Sequence, residues 1–162
     1  MITLLFPGSF DPFTRGHRDI ARRAAAVCDK LYVTVMHNGS KNHFFTPDER
    51  VMMAEKSLQE YSNIEVIRYD GLLVDIYREK NCNAVVRGIR SESDFRYEAE
   101  MAMANKLLYP EYDVMLMPCR DDLSLISSSI VKEVGHYGGD LSKMLPAEIA
   151  DYVTEELKKG RK

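Results

Sequence analysis

Five short apolar runs alternate with longer amphipathic segments along this chain, and this alternation constrains the fold more than any other feature. The runs are largely β-branched and lie at 2–6, 30–36, 64–69, 83–86 and 113–117. Their length and near-continuous hydrophobicity are typical of strands that are mostly buried on both faces. Helical periodicity predicts helices at 17–28, 47–59, 72–80, 92–108, 129–135 and 147–158. The pattern predicts an α/β fold: a three-layer, Rossmann-like, doubly wound domain with a mainly parallel five-stranded sheet.

Length and charge narrow the class of protein further. With 162 residues and neither a linker nor an internal repeat, the chain is expected to form a single domain over 1–162. A formal net charge of −3 argues against binding nucleic acid through a generally basic surface, so the positive charge for an anionic ligand must be gathered locally. The apolar opening stops at Pro7, so we expect neither a signal peptide nor a membrane span.

The cysteines indicate the redox environment. Cys28, Cys82 and Cys119 are odd in number, scattered along the chain and contain no CxxC pair. This usage is typical of unpaired thiols in a reducing compartment, and it gives no framework for a metal site. We therefore expect a cytoplasmic protein without a metal bound by its own side chains.

The segments that follow the predicted strands are the first places to look for a binding site. In a parallel α/β sheet, ligands bind outside the carboxyl ends of the strands, where the strand order reverses. The segments that meet this condition are 7–17, 37–46, 70–72, 87–91 and 118–128. Polar residues in these loops are therefore expected to carry the function.

The first of these loops, PGSFDPFTRGH, holds more turn-forming residues than a strand-to-helix connection needs. Gly8 and Gly16 allow positive φ or a close approach of the backbone to a ligand. A helix that begins near Gly16 and His17 would direct free amides into the loop, which suits a phosphate group. Contact with phosphate would favour the imidazolium form of His17. A turn-rich connection with a surface histidine is the alternative that this loop alone leaves open.

Two nucleotide-binding motifs and a hydrolase triad are not supported by the same loop. It lacks both the GxxxxGK[ST] pattern of a Walker A loop and the GxGxxG pattern of dinucleotide-binding folds. A triad built from Ser9, Asp11 and His17 would lack the GxSxG turn that exposes a nucleophilic serine.

Two later loops carry arginines and serines. Arg87 and Arg90 flank Gly88 where the fourth run gives way to a helix, and their planar guanidinium groups suit phosphate oxygens. Ion pairs with Glu92 and Asp94 are the alternative for these arginines. The serines at 127–129 precede an apolar helix, where one must be an N-cap and three could offer donors to a phosphate.

Lys41 lies in the loop after the second run and is either a movable phosphate contact or a solvated lysine.

Four sequence blocks indicate a family. PGSFDPFTRGH, FTPDER, VRGIRSESDFRYE and ISSSIVKEV occur in the order and near the spacing of one family. TRGH resembles the (H/T)xGH signature of a nucleotidyltransferase superfamily. From 2 to 158 the chain resembles the bacterial phosphopantetheine adenylyltransferases. Ser9 stands where that family more usually has threonine, and it keeps the hydroxyl.

The resemblance implies transfer of the adenylyl group of ATP to 4'-phosphopantetheine, giving dephospho-coenzyme A and pyrophosphate. An acceptor phosphate needs no activation, so in-line displacement at the α-phosphorus would proceed without a covalent intermediate. The catalytic residues implied are His17 at the α-phosphate, Lys41 at the acceptor and reacting phosphoryl groups, Ser9 positioning the acceptor, and Arg90 on the β- and γ-phosphates.

The resemblance also implies two sets of binding residues and a metal. The acceptor would be held by Ser9, Lys41, Leu73 and Arg87. ATP would be held by Ser9, Phe10, His17, Gly88, Ile89, Arg90, Glu98, Leu123, Ser124, Leu125, Ile126, Ser127, Ser128 and Ser129. Mg²⁺ would arrive with the nucleotide phosphates and need few protein ligands.

Two other functions remain open on the sequence. Nicotinate mononucleotide adenylyltransferases and glycerol-phosphate cytidylyltransferases share the first block, although RGIR followed by DFxYE favours the phosphopantetheine enzymes. A nucleotide-binding sensor without chemistry would require a lost catalytic residue, and none of the motif positions is missing. The resemblance further implies a homohexamer of two trimers and feedback binding of coenzyme A in the same cleft. The helix at 92–108 carries Met101, Met103, Leu107 and Leu108, which could form a partner surface or core.

Overall fold

A five-stranded parallel sheet forms the centre of the protein in a computed structural model that describes residues 1–37 and 42–160. Its strands are β1 (Thr3–Gly8), β2 (Lys30–Met36), β3 (Ile64–Tyr69), β4 (Ala84–Ile89) and β5 (Val114–Pro118). The strand order is β3-β2-β1-β4-β5, and every neighbouring pair is parallel. The predicted fold class is confirmed, and the strand order reverses between β1 and β4.

Six helices connect and follow these strands in the described residues. They are α1 (Arg15–Ala25), α2 (Pro47–Leu58), α3 (Leu73–Glu79), α4 (Glu92–Leu108), α5 (Ser128–His136) and α6 (Ala147–Lys159). Thr14 and Thr46 each close a capping box, which satisfies amides at the starts of α1 and α2. None of the helices in residues 1–37 and 42–160 is long and apolar enough to cross a membrane.

Side chains on the two faces of the sheet belong to separate hydrophobic clusters. In β1, Leu4 and Phe6 pack with α1, α2, α5 and α6, whereas Leu5 packs with α3 and the Tyr112 side chain. This alternation follows from the two-residue period of a strand. The sheet is therefore the middle of three layers.

Two details of the sheet differ from the sequence-based expectation. The edge strands β3 and β5 contain half-buried and exposed residues and no buried one, because each has a neighbouring strand on one side only. The strands β1 and β4 also continue further than expected, to Gly8 and Ile89. Arg87 and Gly88 consequently lie within a strand and have the fixed geometry of the sheet rather than that of a loop.

Candidate active site

A cleft of about 330 Å³ opens at the carboxyl ends of β1 and β4, where the strand order reverses. Four segments line it: the end of β1 with its loop, the start of α1, the end of β4 with α4, and the segment before α5. The structure brings together in this cleft most of the expected site residues, namely Ser9, Phe10, His17, Arg87, Gly88, Arg90, Glu98, Leu123, Ile126, Ser127 and Ser128.

A second, smaller pocket adjoins this cleft. Leu73 lines a cavity of about 90 Å³ that shares Arg87 and Glu98 with the larger one. The two cavities therefore meet at the Arg87–Glu98 pair. This arrangement is suited to a ligand that has a charged end and a long, less polar arm.

A few expected site residues are not in the lining of the larger cleft. They are Ile89, Ser124, Leu125 and Ser129. Leu125 is 82% exposed, and the Ser124 hydroxyl donates to the carbonyl of Asp121 at 2.9 Å. Lys41 lies outside the described residues, so its expected role stays a prediction.

His17 is held by the first turn of α1. The Thr14 amide donates to His17 Nδ1 at 3.0 Å, and the Thr14 hydroxyl accepts from the His17 amide at 3.3 Å. Because Nδ1 accepts a hydrogen bond, the proton of the neutral ring lies on Nε2. The ring packs against Phe10 and Phe13, with centroid distances of 5.0 and 5.4 Å. The capping box thus sets both the tautomer and the direction of one N–H donor.

The surroundings of His17 disfavour its charged form. Burial, with smaller contributions from the positive charges of Arg90 and Arg87, lowers the pKa of His17 to about 4. In the ligand-free protein His17 is therefore a neutral donor at physiological pH. A bound phosphate would raise this pKa again, because its negative charge favours the imidazolium form, as the sequence also predicts.

The depressed pKa of His17 predicts a specific dependence of stability on pH. Above pH 6.5 the ring is neutral in both the folded and the unfolded chain, and His17 adds no pH dependence. As the pH falls from 6.5 to about 4, only the unfolded chain takes up the proton, so the free energy of unfolding decreases. The loss reaches at most about 3 kcal/mol.

Urea denaturation of the wild type and of His17→Gln between pH 7.5 and 4 measures this contribution, because other titrating groups cancel in the difference. A difference between the two proteins that does not change with pH would contradict the assignment of the proton to the unfolded state.

The first loop reaches its shape in a way the sequence did not indicate. The positive φ falls on Phe10, at 50°, whereas neither Gly8 nor Gly16 has positive φ. A Cβ at Gly8 would lie 2.8 Å from two atoms of the Phe10 ring. Gly8 is therefore required by the Phe10 ring that packs over the strand end, and that ring in turn contacts His17.

Arg87 is fixed by three hydrogen bonds. Its Nε and one terminal nitrogen donate to the two carboxylate oxygens of Glu98 at 2.9 and 2.8 Å, and the other donates to the Pro7 carbonyl at 2.9 Å. The pair joins β4, α4 and the end of β1. A guanidinium held this rigidly needs little ordering when a phosphate arrives.

Arg90 makes the ion pair that the sequence left open as an alternative. Its backbone amide and its Nε donate to Asp94 at 3.0 and 3.1 Å. The side chain of Arg90 is 42% exposed, so this pair contributes little to stability. The guanidinium lies at the rim of the cleft, with donors that remain open to an anionic ligand.

The serines before α5 divide their roles. Ser127 is the N-cap and accepts from the amide of Ile130 at 3.2 Å, as the capping interpretation requires. The Ser128 hydroxyl donates to the carbonyl of Pro12 at 2.8 Å and fastens α5 to the first loop. Both line the cleft, but Ser128 has its hydroxyl proton committed to the protein.

Two buried charged residues near the cleft were not among the expected site residues. Asp11 accepts from two amides and from Lys132, and Arg50 donates to three carbonyl groups. A signal for Arg50 was present, because it shares helical spacing with Met53 and Ala54 on the apolar side of α2. A charged residue on such a face is unusual and indicates a specific partner.

The comparisons with known proteins agree with this geometry. The cytidylyltransferase-like family model matches residues 5–134. Phosphopantetheine adenylyltransferase from Bordetella petrii is 45% identical over 99% of this chain and 95% of its own length. The protein of that name from Natranaerobius thermophilus is 44% identical over the full length of both chains.

Solved structures show the same fold at much lower identity. A Vibrio parahaemolyticus protein assigned as a nicotinate-nucleotide adenylyltransferase superposes with a TM-score of 0.71, at 17% identity over 99% of this chain and 98% of its own. At that identity the match concerns the fold alone. The full-length sequence relatives decide the family: this chain belongs to the phosphopantetheine adenylyltransferases, within the cytidylyltransferase-like proteins.

Proposed function

We propose that this chain transfers the adenylyl group of ATP to 4'-phosphopantetheine, forming dephospho-coenzyme A and releasing pyrophosphate. The observation that carries the proposal is the convergence of His17, Arg87 and Arg90 on one cleft at the switch point of the sheet. This cleft gathers two guanidinium groups and one neutral imidazole N–H, and the charges of its described arginines are balanced by Glu98 and Asp94. The arginine N–H groups that these carboxylates leave open are the donors that an anionic nucleotide and an anionic acceptor require. The family supports the choice of acceptor.

Catalysis in this cleft would consist of alignment and charge stabilisation. The acceptor phosphate is itself the nucleophile, so no side chain has to remove a proton or form a covalent bond. His17 would donate its Nε2 hydrogen to an α-phosphate oxygen and stabilise the charge that increases there in the transition state. A neutral imidazole can do this without changing its protonation state.

The two arginines would each bind different phosphate groups. Arg90, the Ser127 hydroxyl and the Ser128 backbone amide at the start of α5 would hold the β- and γ-phosphates, which become the leaving pyrophosphate. Arg87 would hold the acceptor phosphate while Glu98 keeps its guanidinium in plane. The pocket lined by Leu73 would take the pantetheine arm. Lys41 is proposed for the acceptor phosphate on family grounds.

Magnesium would enter with the nucleotide. The two carboxylates that line the cleft, Asp94 and Glu98, are each bound to an arginine, so they do not form a ready set of ligands. This donor set fits an ion that is held mainly by phosphate oxygens and water.

A panel of acceptors and nucleotides tests the proposed function. Pyrophosphate release is measured with ATP and Mg²⁺ for 4'-phosphopantetheine and nicotinate mononucleotide, and with CTP for glycerol phosphate. We expect release with 4'-phosphopantetheine and ATP only. Release with nicotinate mononucleotide alone would identify a sister transferase, and ATP binding without any product would identify a sensor.

We also propose that the protein is a homohexamer built from two trimers, in the cytoplasm, with coenzyme A as a competing ligand of the same cleft. Support for assembly comes from α4, in which no residue is buried although its large apolar side chains are numerous. Those exposed by more than half are Phe95, Tyr97, Met103, Leu107 and Leu108. An apolar face of this extent marks an interaction site.

A charge placed on α4 tests the assembly. Leu107→Glu and Met103→Glu are expected to reduce the mass in solution to that of smaller species, because each carboxylate would be buried between subunits. Val27→Glu is the control, since Val27 is 57% exposed in the turn that follows α1, away from α4 in the sequence. Light scattering after size exclusion measures the masses, and an unchanged mass for both α4 variants would contradict this interface.

A further inference from the structure

Arg50 is a charged residue with no exposed surface. It lies in the first turns of α2, and its relative exposure is 0%. It faces the same side of the helix as Met53 and Ala54, which belong to the main hydrophobic cluster. A guanidinium loses its hydration at such a position, so hydrogen bonds to its partners must offset this cost.

The partners of Arg50 come from three separate segments at the carboxyl edge of the sheet. One terminal nitrogen donates to the carbonyls of Ser9 at 2.8 Å and Met36 at 3.0 Å. Its Nε donates to the Phe45 carbonyl at 3.3 Å, and the other terminal nitrogen lies 3.2 Å from His37 Nδ1. Within residues 1–37 and 42–160, these hydrogen-bond partners include no carboxylate. The guanidinium is thus a cross-link between backbone segments.

Stability alone does not explain why a charged residue is buried at position 50. Apolar side chains of similar volume are often as stabilising as buried charged groups. Burial lowers the pKa of Arg50, and the nearby Asp11 charge opposes that shift, so the charged state is maintained at a cost. An apolar side chain could not donate the hydrogen bonds that hold the three carbonyl groups in place.

The Ser9 carbonyl connects Arg50 to the reaction site. The peptide that contains it leads into Phe10, whose φ of 50° is uncommon for a bulky residue and must be held by its surroundings. The Phe10 ring then contacts the His17 ring at a centroid distance of 5.0 Å, nearly perpendicular to it. A displacement of the Ser9 carbonyl would therefore move both the Ser9 hydroxyl and the ring that supports His17.

We propose that Arg50 is a positioning residue for adenylyl transfer, acting through the Ser9 carbonyl and the Phe10 turn on His17. The chemical part of this inference rests on the proposed function, and the structural part does not. Arg50 does not line the cleft, so its loss should alter the alignment of the reacting groups more than the binding of ATP.

Two variants of Arg50 and one matched control test the proposal. Arg50→Lys keeps a positive charge but cannot reach three carbonyl groups from one planar group. We expect its kcat to fall about 100-fold, the size of effect that a misplacement near 1 Å produces, with the KM for ATP little changed. Met53→Ala is the control for loss of stability, because it removes a fully buried apolar side chain from the same helix and leaves the Arg50 hydrogen bonds in place.

Chemical rescue separates positioning from general destabilisation. Arg50→Ala leaves space for a free guanidinium ion, which should restore part of kcat in a saturable manner, whereas methylammonium should not. A kcat near that of the wild type in Arg50→Lys would overturn the proposal. It would also be overturned if kcat in Arg50→Lys and Met53→Ala decreased only in proportion to their unfolded fractions.

An NMR measurement tests the structural part on its own. The aromatic resonances of Phe10 and His17 should shift or broaden in Arg50→Lys. They should stay unchanged in Ser57→Ala, because the buried Ser57 hydroxyl donates within α2, to the carbonyl of Met53. If the wild type transfers no adenylyl group to any acceptor, the proposed function fails, and these resonances still decide whether Arg50 positions the two rings. Unchanged resonances in folded Arg50→Lys would overturn that part.

Discussion

Replacing His17 by alanine is expected to lower kcat about 100- to 1,000-fold, the usual loss when one transition-state donor is removed. The donor at stake is the Nε2 hydrogen, which the Thr14–His17 capping box directs away from the helix. The hydrogen bond strengthens as charge increases on the α-phosphate oxygens, so the effect should fall on kcat rather than on ATP binding. Initial-rate kinetics and titration with ATP measure the two quantities.

His17→Gln is the comparison variant, because its amide group can offer both a donor and an acceptor. It should keep more activity than His17→Ala if a neutral N–H is what the reaction needs. The Thr14 side chain remains as N-cap in both variants, so each should stay folded, with a stability change of about 1 kcal/mol. Turnover of His17→Ala within a fewfold of the wild type would remove His17 from the mechanism.

The neutrality of His17 also shapes the pH profile of the ligand-free enzyme. Since burial and two arginines lower the pKa of His17 to about 4, the plot of kcat/KM against pH should show no decline near 6.5 that the ring could cause. The sequence alone could not indicate this, because the cationic surroundings of the ring come from β4 and from the residue after it, some seventy positions away.

The fold was predictable because it depends on local patterns. The strands β2 and β3 have the bounds that their apolar runs predict, and α4 begins and ends where its periodicity does. The exceptions depend on neighbours rather than on local sequence. The partial exposure of β3 and β5 follows from their positions at the sheet edges, which no short stretch of sequence determines.

The site was predictable only as a set of residues, not as a set of partners. Strand-end loops had to converge, so the meeting of His17, Arg87 and Arg90 followed from topology. The Arg87–Glu98 pair depends on how α4 lies against β4, and the positive φ of Phe10 depends on space left by Gly8. Such pairings are decided by packing in three dimensions, and sequence spacing does not contain them.

Among the residues without a proposed catalytic role, we expect substitution of Asp11 to cause the largest loss of stability. Asp11 is 3% exposed, and its carboxylate accepts from the amides of Phe44 and Phe45, at 2.9 and 2.8 Å, and from Lys132 Nζ at 2.9 Å. It therefore ties the first loop to the residues before α2 and to α5. Asp11→Ala should decrease the free energy of unfolding by about 3–5 kcal/mol, as expected when one partner of a buried ionic network is removed.

Asp11→Asn separates the shape of the side chain from its ability to accept. The amide keeps the volume but has a single acceptor oxygen, so one of the two backbone amides would face an N–H group. We expect it to be nearly as destabilising as alanine. Asp19→Ala is the contrasting control. Asp19 is also poorly exposed, yet its ion-pair partners in the described part of the chain are the more exposed Arg22 and Arg23, so its loss should cost below about 1 kcal/mol.

Combining Asp11→Ala with Lys132→Met distinguishes a network from a collection of contacts. Removing both partners eliminates a lysine that has lost its carboxylate, so the double variant should be less destabilised than the sum of the single ones. Urea denaturation at pH 7.5 gives the three free energies. Additive losses would mean that Lys132 reaches solvent freely, as its 31% exposure allows, and that the two amides alone make Asp11 indispensable.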